Sequence, residues 1–238
     1  MILNLVYLGR VDYASGLELQ RQLVEARHEE WIGNTLLLLE HPPVLTLGRN
    51  SDRKNILATD EFLAYRGVAV HEINRGGDVT YHGPGQLVGY PIFDLRSFAP
   101  RLGAVEYVRM MEEALIRACG DFGVQTARVQ GRTGVWTLPG GSVQEKKIAA
   151  IGVHISRGIT SHGFALNVTT DLRDFELIVP CGISDAPVTS LEMEAELAPS
   201  MDGVMHAVAR QFGRVFDHQV LWLESLADLI PQTTPLLQ

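Results

Sequence analysis

Apolar and polar positions alternate over residues 2 to 8, the period of a strand with one covered face. Asp12 then heads a stretch in which Tyr13, Leu17, Leu23 and Val24 fall on one side of a helix. Residues 35 to 40 are a short continuous apolar run, Pro42 and Pro43 break it, and residues 44 to 48 resume as a second strand. A short helix over 61 to 66 leads to a strand over 68 to 73. From Val105 the apolar positions 105, 108, 111, 115, 119 and 122 repeat at helical spacing, and Gly120 and Gly123 mark the end. Residues 131 to 141 hold Pro139-Gly140-Gly141 and no clear period, which predicts a mobile or hairpin-like connection. Strands over 148 to 155 and 163 to 168, joined by a turn-rich 156 to 162, read as antiparallel neighbours. Met201, Val204, Val208, Phe212 and Val215 define a last amphipathic helix, followed by a strand near 220 to 223. Helices and strands are interspersed with no repeat, charge block or clean domain boundary. The expectation is one α+β (mixed α/β) domain over 1–230, a central sheet with flanking helices, and a frayed tail over 231–238.

One stretch departs from this pattern, Arg75-Gly-Gly-Asp-Val-Thr-Tyr-His-Gly-Pro-Gly-Gln86, which runs directly into the apolar segment 87 to 94. Its glycines and proline close on a β-rich run, so it reads as an ordered loop at a sheet rather than a linker. Loops of this kind let backbone approach a ligand closely. A turn-rich hairpin would also account for Gly-Pro-Gly, and this stretch alone leaves the two open.

With 238 residues, 46% of them hydrophobic and 20% charged, the chain has material for a real core. Its start has no basic segment, and its first apolar run is too short to cross a membrane, so a cytoplasmic protein without a membrane partner is expected. A net charge of −8 argues against general nucleic-acid binding. An acidic partner would therefore need a local basic patch, for which Arg49, Arg53, Lys54 and Arg75 are candidates beside the alternative of a solvated loop.

Metal chemistry finds no support: the histidines stand in neither His-Glu-x-x-His nor Cys-x-x-Cys company. No nucleotide-binding glycine motif is present either. Of the two cysteines, Cys119 lies on the apolar stripe of its helix and reads as packing. Cys181 sits between Pro180 and Gly182, where its sulfur could face a pocket, so it is a nucleophile candidate as much as a packing residue. Lys147, at the head of an apolar strand, is the candidate cation for it, and its neighbour Lys146 the solvated one. His82 and His162, each followed by glycine, read as pocket walls or hydrogen-bond posts and stay outside the catalytic set.

Five segments carry a resemblance: Glu40-His-Pro-Pro-Val44, the 75–86 stretch, Lys147-Ile-Ala-Ala-Ile-Gly-Val153, His162-Gly-Phe-Ala-Leu-Asn-Val168 and Pro180-Cys-Gly-Ile183. Together, in this order over about residues 35 to 195, they resemble the lipoyl(octanoyl) transferase family. The resemblance implies the fold of the biotin and lipoate ligase catalytic domain, with no cofactor. It implies that Cys181 carries an acyl thioester and that Lys147 lowers the pKa of its thiol. It further implies an acyl pocket lined by Arg75, Gly76, Gly77, Asp78, Val79, Thr80, Tyr81 and His82, by Ala150, Ile151 and Gly152, and by Gly163, Phe164 and Ala165. The donor it implies is octanoyl-acyl carrier protein. The acceptors are lipoyl domains of 2-oxoacid dehydrogenase complexes and the glycine cleavage H protein. Gly158 and Leu45 depart from residues common at those places in the family, an aromatic and a tyrosine. Rival readings are an ATP-dependent lipoate or biotin ligase on the same fold, a non-catalytic acyl-carrier-binding protein and a Cys-His hydrolase.

Overall fold

The computed structural model describes residues 1–138, 144–179 and 187–229. In chain order the elements are β1 (Ile2–Arg10), α1 (Tyr13–His28), β2 (Thr35–Glu40), β3 (Val44–Leu47), α2 (Asp60–Tyr65), β4 (Ala69–Glu72), β5 (Val79–His82) and β6 (Gln86–Ile92). They continue with α3 (Ala104–Gly120), β7 (Thr126–Val129), β8 (Arg132–Thr137), β9 (Lys147–Ser156), β10 (Ile159–Asn167), α4 (Leu191–Glu194), α5 (Met201–Val215) and β11 (Gln219–Leu223). The predicted mixed sheet with flanking helices is what forms.

Eight strands make one sheet in the order β11-β1-β2-β6-β10-β9-β8-β7, parallel where β1 meets β11 and β2 and antiparallel in its other pairings. β3 pairs with β4 and β5 in a separate three-stranded sheet. The uninterrupted apolar run of β2 has a direct cause, since both faces of the large sheet are covered. Leu36 and Leu38 enter a core with Tyr107, Met111 and Leu115 of α3 and Val208 and Phe212 of α5. Leu37 and Leu39 point the other way, to Leu23 and Ala26 of α1. Asp12 starts α1 as expected, its side chain accepting from Ser15 N at 3.0 Å. A third apolar cluster joins the small sheet, through Leu45, Leu47, Val79 and Tyr81, to Leu63 of α2 and to Phe175 and Leu177.

Two expectations need refinement. The glycine-rich stretch is not all loop, because Val79–His82 forms β5 against β3. The segment from Gly131 takes the hairpin-like form of the two expected, and is more regular than its missing period suggests: Arg132–Thr137 is β8, antiparallel to β7, with Trp136 fully buried. Its period was hidden by Gly134, at φ 122°, and by a bulge between Val135 and Trp136. Residues 139–143, the second half of that expected connection, lie outside the described residues, as does the tail 231–238. The turn between β9 and β10 is shorter than expected, with β10 beginning at Ile159. Cys119 is fully buried, and burial pushes its thiol up to about 12, consistent with packing. Neither family departure touches the cavity described below: Leu45 is buried in the small sheet, and Gly158 turns the chain beside Arg96.

Candidate active site

The two sheets, α1 and the β7–β8 hairpin enclose a cavity of about 430 Å³. Its floor is the face of the large sheet where side chains are smallest. Gly163 of β10 stands opposite Gly152 of β9, and Ala165 stands opposite Ala150 on one side and Val88 of β6 on the other. Large residues there would fill the space, so these small pairs create it.

The glycine-rich segment closes over this floor. Gly76 N donates to Val153 O at 2.9 Å, and a Cβ on Gly152 would stand 2.9 Å from Gly76 O, so only glycine admits that approach. Arg75 anchors the segment from inside, with Nη2 donating to Thr46 O and Thr46 Oγ1, both at 2.9 Å. Asp78 accepts from Asn55 Nδ2 at 2.7 Å and from Val79 N at 2.6 Å.

Of the expected lining, Arg75, Gly77, Asp78, Val79, Thr80, His82, Ala150, Ile151, Gly152, Gly163, Phe164 and Ala165 all border the cavity, with Lys147, although the side chains of Val79, Ile151 and Phe164 pack into the apolar cores. Two do not line it. Tyr81 points to the opposite side of its strand, where its hydroxyl donates to Asp174 at 2.6 Å and its ring packs on Phe175. Gly76 presents only its backbone, toward β9. The four candidates for a basic patch do not assemble one, and the alternative of a solvated loop holds for Arg49, Arg53 and Lys54. Arg75 is buried, Arg53 pairs with Asp60 at 2.8 Å, and Lys54 pairs with Asp52 at 3.4 Å, which leaves Arg49 exposed.

Cys181 lies outside the described residues, but its chain neighbours are anchored beside this cavity. Val179 N donates to Asn55 O at 2.7 Å, and Asn55 holds Asp78. On return, Lys147 N donates to Pro187 O at 2.8 Å and Thr189 N to Lys147 O at 2.9 Å. The segment 180–186 thus leaves the described chain next to Asp78 and rejoins it next to Lys147. Lys146 takes a different partner, Glu194, at 2.9 Å.

Uncharged rings stand at the far wall, where Tyr13, His82, Tyr90 and His162 line the cavity and His41 packs behind them. Val11 O can only accept, so at 2.6 Å it fixes the proton of His41 on Nδ1, and the Tyr90 hydroxyl then donates to Nε2, also at 2.6 Å. Gln86 spends its amide on Tyr81 O and Asn167 Oδ1 and accepts from His82 Nδ1 at 2.7 Å. His82 Nε2 is therefore an acceptor. His162 contacts Asn74 Oδ1 through Nε2 at 3.0 Å. Burial pushes His82 down to about 3 and His41 and His162 down to about 4, so all three rings are uncharged at neutral pH. None has a carboxylate hydrogen-bonded to its ring among the described residues.

Sequence reasoning missed Tyr13, Tyr90, Arg132 and Trp136, which also line the cavity. Tyr13 and Tyr90 look like ordinary core positions in their elements. Trp136 stands in the strand whose period Gly134 conceals. No motif signal marks any of them.

The sheet covered by helices on both faces is a fold seen in solved ligases. The bipartite lipoate protein ligase of Thermoplasma acidophilum, described with its E2 lipoyl domain, superposes with a TM-score of 0.72 at 18% identity, covering 94% of this chain and 87% of that one. The biotin protein ligase of Aquifex aeolicus, in complex with biotin and ATP, does so with a TM-score of 0.53 at 15% identity, over 90% of this chain and 70% of the other. This is the catalytic-domain fold of lipoate and biotin ligases. Residues 12–213 match the family model "Lipoyl protein ligase A/B catalytic domain", and the octanoyltransferase of Acidobacterium capsulatum is 78% identical over 100% of both chains. The chain belongs to the lipoyl protein ligase A/B catalytic domain family, among its lipoyl(octanoyl) transferases, and is an acyltransferase.

Proposed function

We propose that this acyltransferase moves an octanoyl group from octanoyl-acyl carrier protein to one lysine of a lipoyl domain, such as those of 2-oxoacid dehydrogenase complexes or the glycine cleavage H protein, through a thioester on Cys181. The observation that carries the reading is the small-residue cavity whose lining residues Asp78, through Asn55, and Lys147 flank both ends of the segment bearing Cys181. The 78% identity to an octanoyltransferase supports the acyl group.

In the first half-reaction the Cys181 thiolate attacks the donor thioester carbonyl. The tetrahedral oxyanion collapses, the carrier's thiolate leaves, and that thiolate takes a proton. One thioester replaces another, so the step is nearly balanced in free energy and needs no separate activation of the acid. An ordinary thiol with pKa near 8.5 is only about 3% thiolate at pH 7, so an ammonium beside it raises the reactive fraction by at most ~30-fold. Lys147 supplies that ammonium. Positioning and backbone donors, with Gly76 and Gly77 or the amides of 181–182 as candidates, supply the rest.

The second half-reaction is limited by a proton, since a free lysine amine is neutral only about once in 2,500 at pH 7. Acylation prepares the base: with Cys181 a neutral thioester, the Lys147 ammonium has lost its counter-charge and gives up its proton more readily. Neutral Lys147 then deprotonates the acceptor amine, which attacks the thioester, and the Cys181 thiolate leaves. Seven carbons beyond the carbonyl, laid on Ala150, Ala165 and Val88, contribute about 5 kcal/mol before ordering costs. The thiol chemistry suits a reducing compartment, which fits a cytoplasmic site.

Intact-mass measurement after mixing with octanoyl-acyl carrier protein tests this beside a Cys181→Ser control. One octanoyl adduct on the wild type alone, discharged by a lipoyl domain, is the expected result. Octanoylation of the domain only when octanoate and ATP are supplied would favour the ligase reading instead.

A further inference from the structure

Strand β8 surrounds Lys147 in a way the acyl-transfer reading does not itself require. The Lys147 Nζ lies 4.8 Å from the centre of the Trp136 ring, within the range of a cation–π contact. The Arg132 guanidinium lies 5.5 Å from the same centre. Trp136 and Lys147 are paired across β8 and β9 just after the bulge that shifts their register, so the bulge aims the ring at the lysine. Gly134, at φ 122°, lets β8 approach β9 closely just before the bulge, since a Cβ there would stand 2.6 Å from Ala149 O. Its own amide is fixed by the buried carboxylate of Glu112, which accepts from Gly134 N at 3.0 Å.

The choice of tryptophan at this place needs a reason. Its side chain is fully buried, and its indole Nε1 finds no acceptor among the described residues. A buried N–H without a partner is unfavourable, and phenylalanine would fill a dry core position without it. What tryptophan offers over phenylalanine is the more electron-rich face for a cation. Two like charges near one ring would also repel each other, and the ring is the group that draws both toward it.

We propose that Trp136 is a positioning residue for the transfer reaction, its ring holding the Lys147 ammonium at the cavity wall. The proposal rests on the reading of Lys147 as the cation partner of Cys181. Through Lys147, Trp136 sets how much of the Cys181 thiol is ionised at neutral pH, and it does so without touching substrate.

The pH dependence of Cys181 alkylation by iodoacetamide in the free enzyme reads this directly, because the buried Cys119 stays protonated throughout. Lys147→Met and Trp136→Leu are both expected to raise the alkylation midpoint, Trp136→Leu by about half to one pH unit, with Trp136→Phe between Trp136→Leu and the wild type. A packing defect alone would not move the midpoint. Should Trp136→Leu fail to fold, incorporating tetrafluorotryptophan keeps the shape and removes the electron-rich face, and the midpoint should rise. The other two tryptophans, Trp31 and Trp222, are partly exposed and lie outside the cavity lining. A raised midpoint in Lys147→Met with Trp136→Leu or fluorinated protein at the wild-type value would overturn the role of Trp136 and leave the dyad standing. A wild-type midpoint in Lys147→Met would overturn the dyad, and this proposal with it.

Discussion

Lys146 and Lys147 are adjacent, of one chemical type, and differ entirely in what they meet. Lys146 reaches Glu194, which also accepts from Thr189 Oγ1 at 2.6 Å, and so ties down the chain beyond residue 187. Lys147 turns into the cavity over an aromatic ring. Replacing Lys147 by methionine keeps the stem and removes the charge. Acyl-enzyme formation at pH 7 should then fall by up to ~30-fold and recover as the pH is raised toward about 8.5, where an unassisted thiol is half ionised. Rapid-quench measurement of the single-turnover rate across that range checks it. Discharge of preformed acyl-enzyme should also slow in this variant, and discharge at the wild-type rate would remove Lys147 as the base. Lys146→Met should leave both half-reactions unchanged. The choice of Lys147 was legible in the sequence because that lysine heads an apolar strand. The ring beneath it was not, because a tryptophan in a short, bulged strand carries no periodic signal.

At the scale of elements, the cross-strand register decides the shape of the cavity. Ala165 meets Ala150 and Val88 only because β10 lies between β6 and β9 in this alignment, and a shift by one residue would bring Phe164 to the floor instead. Ala165→Leu adds three carbons to that floor. We expect it to shift the preference in kcat/KM from octanoyl toward hexanoyl donors by roughly 10-fold, at about 0.8 kcal/mol for each methylene displaced. Overpacking should cost stability by about 1–3 kcal/mol. Competition between the two acyl donors, read by mass spectrometry of the modified lipoyl domain, tests the shift.

The β7–β8 hairpin hangs on a second feature of this kind. Glu112 of α3 is 1% exposed at its side chain and gathers Arg109 Nη1 at 2.9 Å, Arg128 Nε at 3.1 Å and Gly134 N at 3.0 Å. Removing it strands an amide while both arginines can turn toward solvent. Glu112→Ala should therefore lower stability by about 1–3 kcal/mol, less than a fully buried ion pair would imply. Urea unfolding, with unchanged m-value as the check on two-state behaviour, measures it. Sequence reasoning assigned α3 and its apolar stripe from Val108 onward, although Val105, counted in that stripe, is 76% exposed. It could not assign Glu112, whose partners on β7 and β8 come from elsewhere in the chain.

For the whole molecule, the neutral histidines make stability depend on pH in a definite direction. An unfolded histidine titrates near 6.5, whereas burial holds His41 and His162 at about 4 and His82 at about 3. Below about pH 6.5 the unfolded chain binds protons that the folded rings do not take up until about pH 4. Stability is thus complete above 6.5 and declines as the pH falls across that window. From pH 7 to pH 5 the loss should be a few kcal/mol in all, on the order of 2 kcal/mol for each ring at most. Urea unfolding at the two pH values tests the sign. His41→Asn or His82→Gln variants should show a shallower pH dependence than the wild type, whatever their stability at pH 7.

Taken alone, the sequence determined most of the element order, the mixed sheet with its covering helices, the family and most of the cavity lining. Those features are written in local periodicity and in short contiguous motifs, where each residue's neighbours in the chain are also its neighbours in space. Only the tertiary structure decided that Tyr81 faces Asp174 rather than the cavity, that Arg75 holds Thr46 from inside, and that Arg53 and Lys54 pair with carboxylates in place of a basic patch. It alone also brought Tyr13, Tyr90, Arg132 and Trp136 to one cavity. The physical reason is common to all of them. Which face of a short strand is buried, and which distant side chain completes a hydrogen bond or covers a charge, depends on register and packing between segments far apart in the chain.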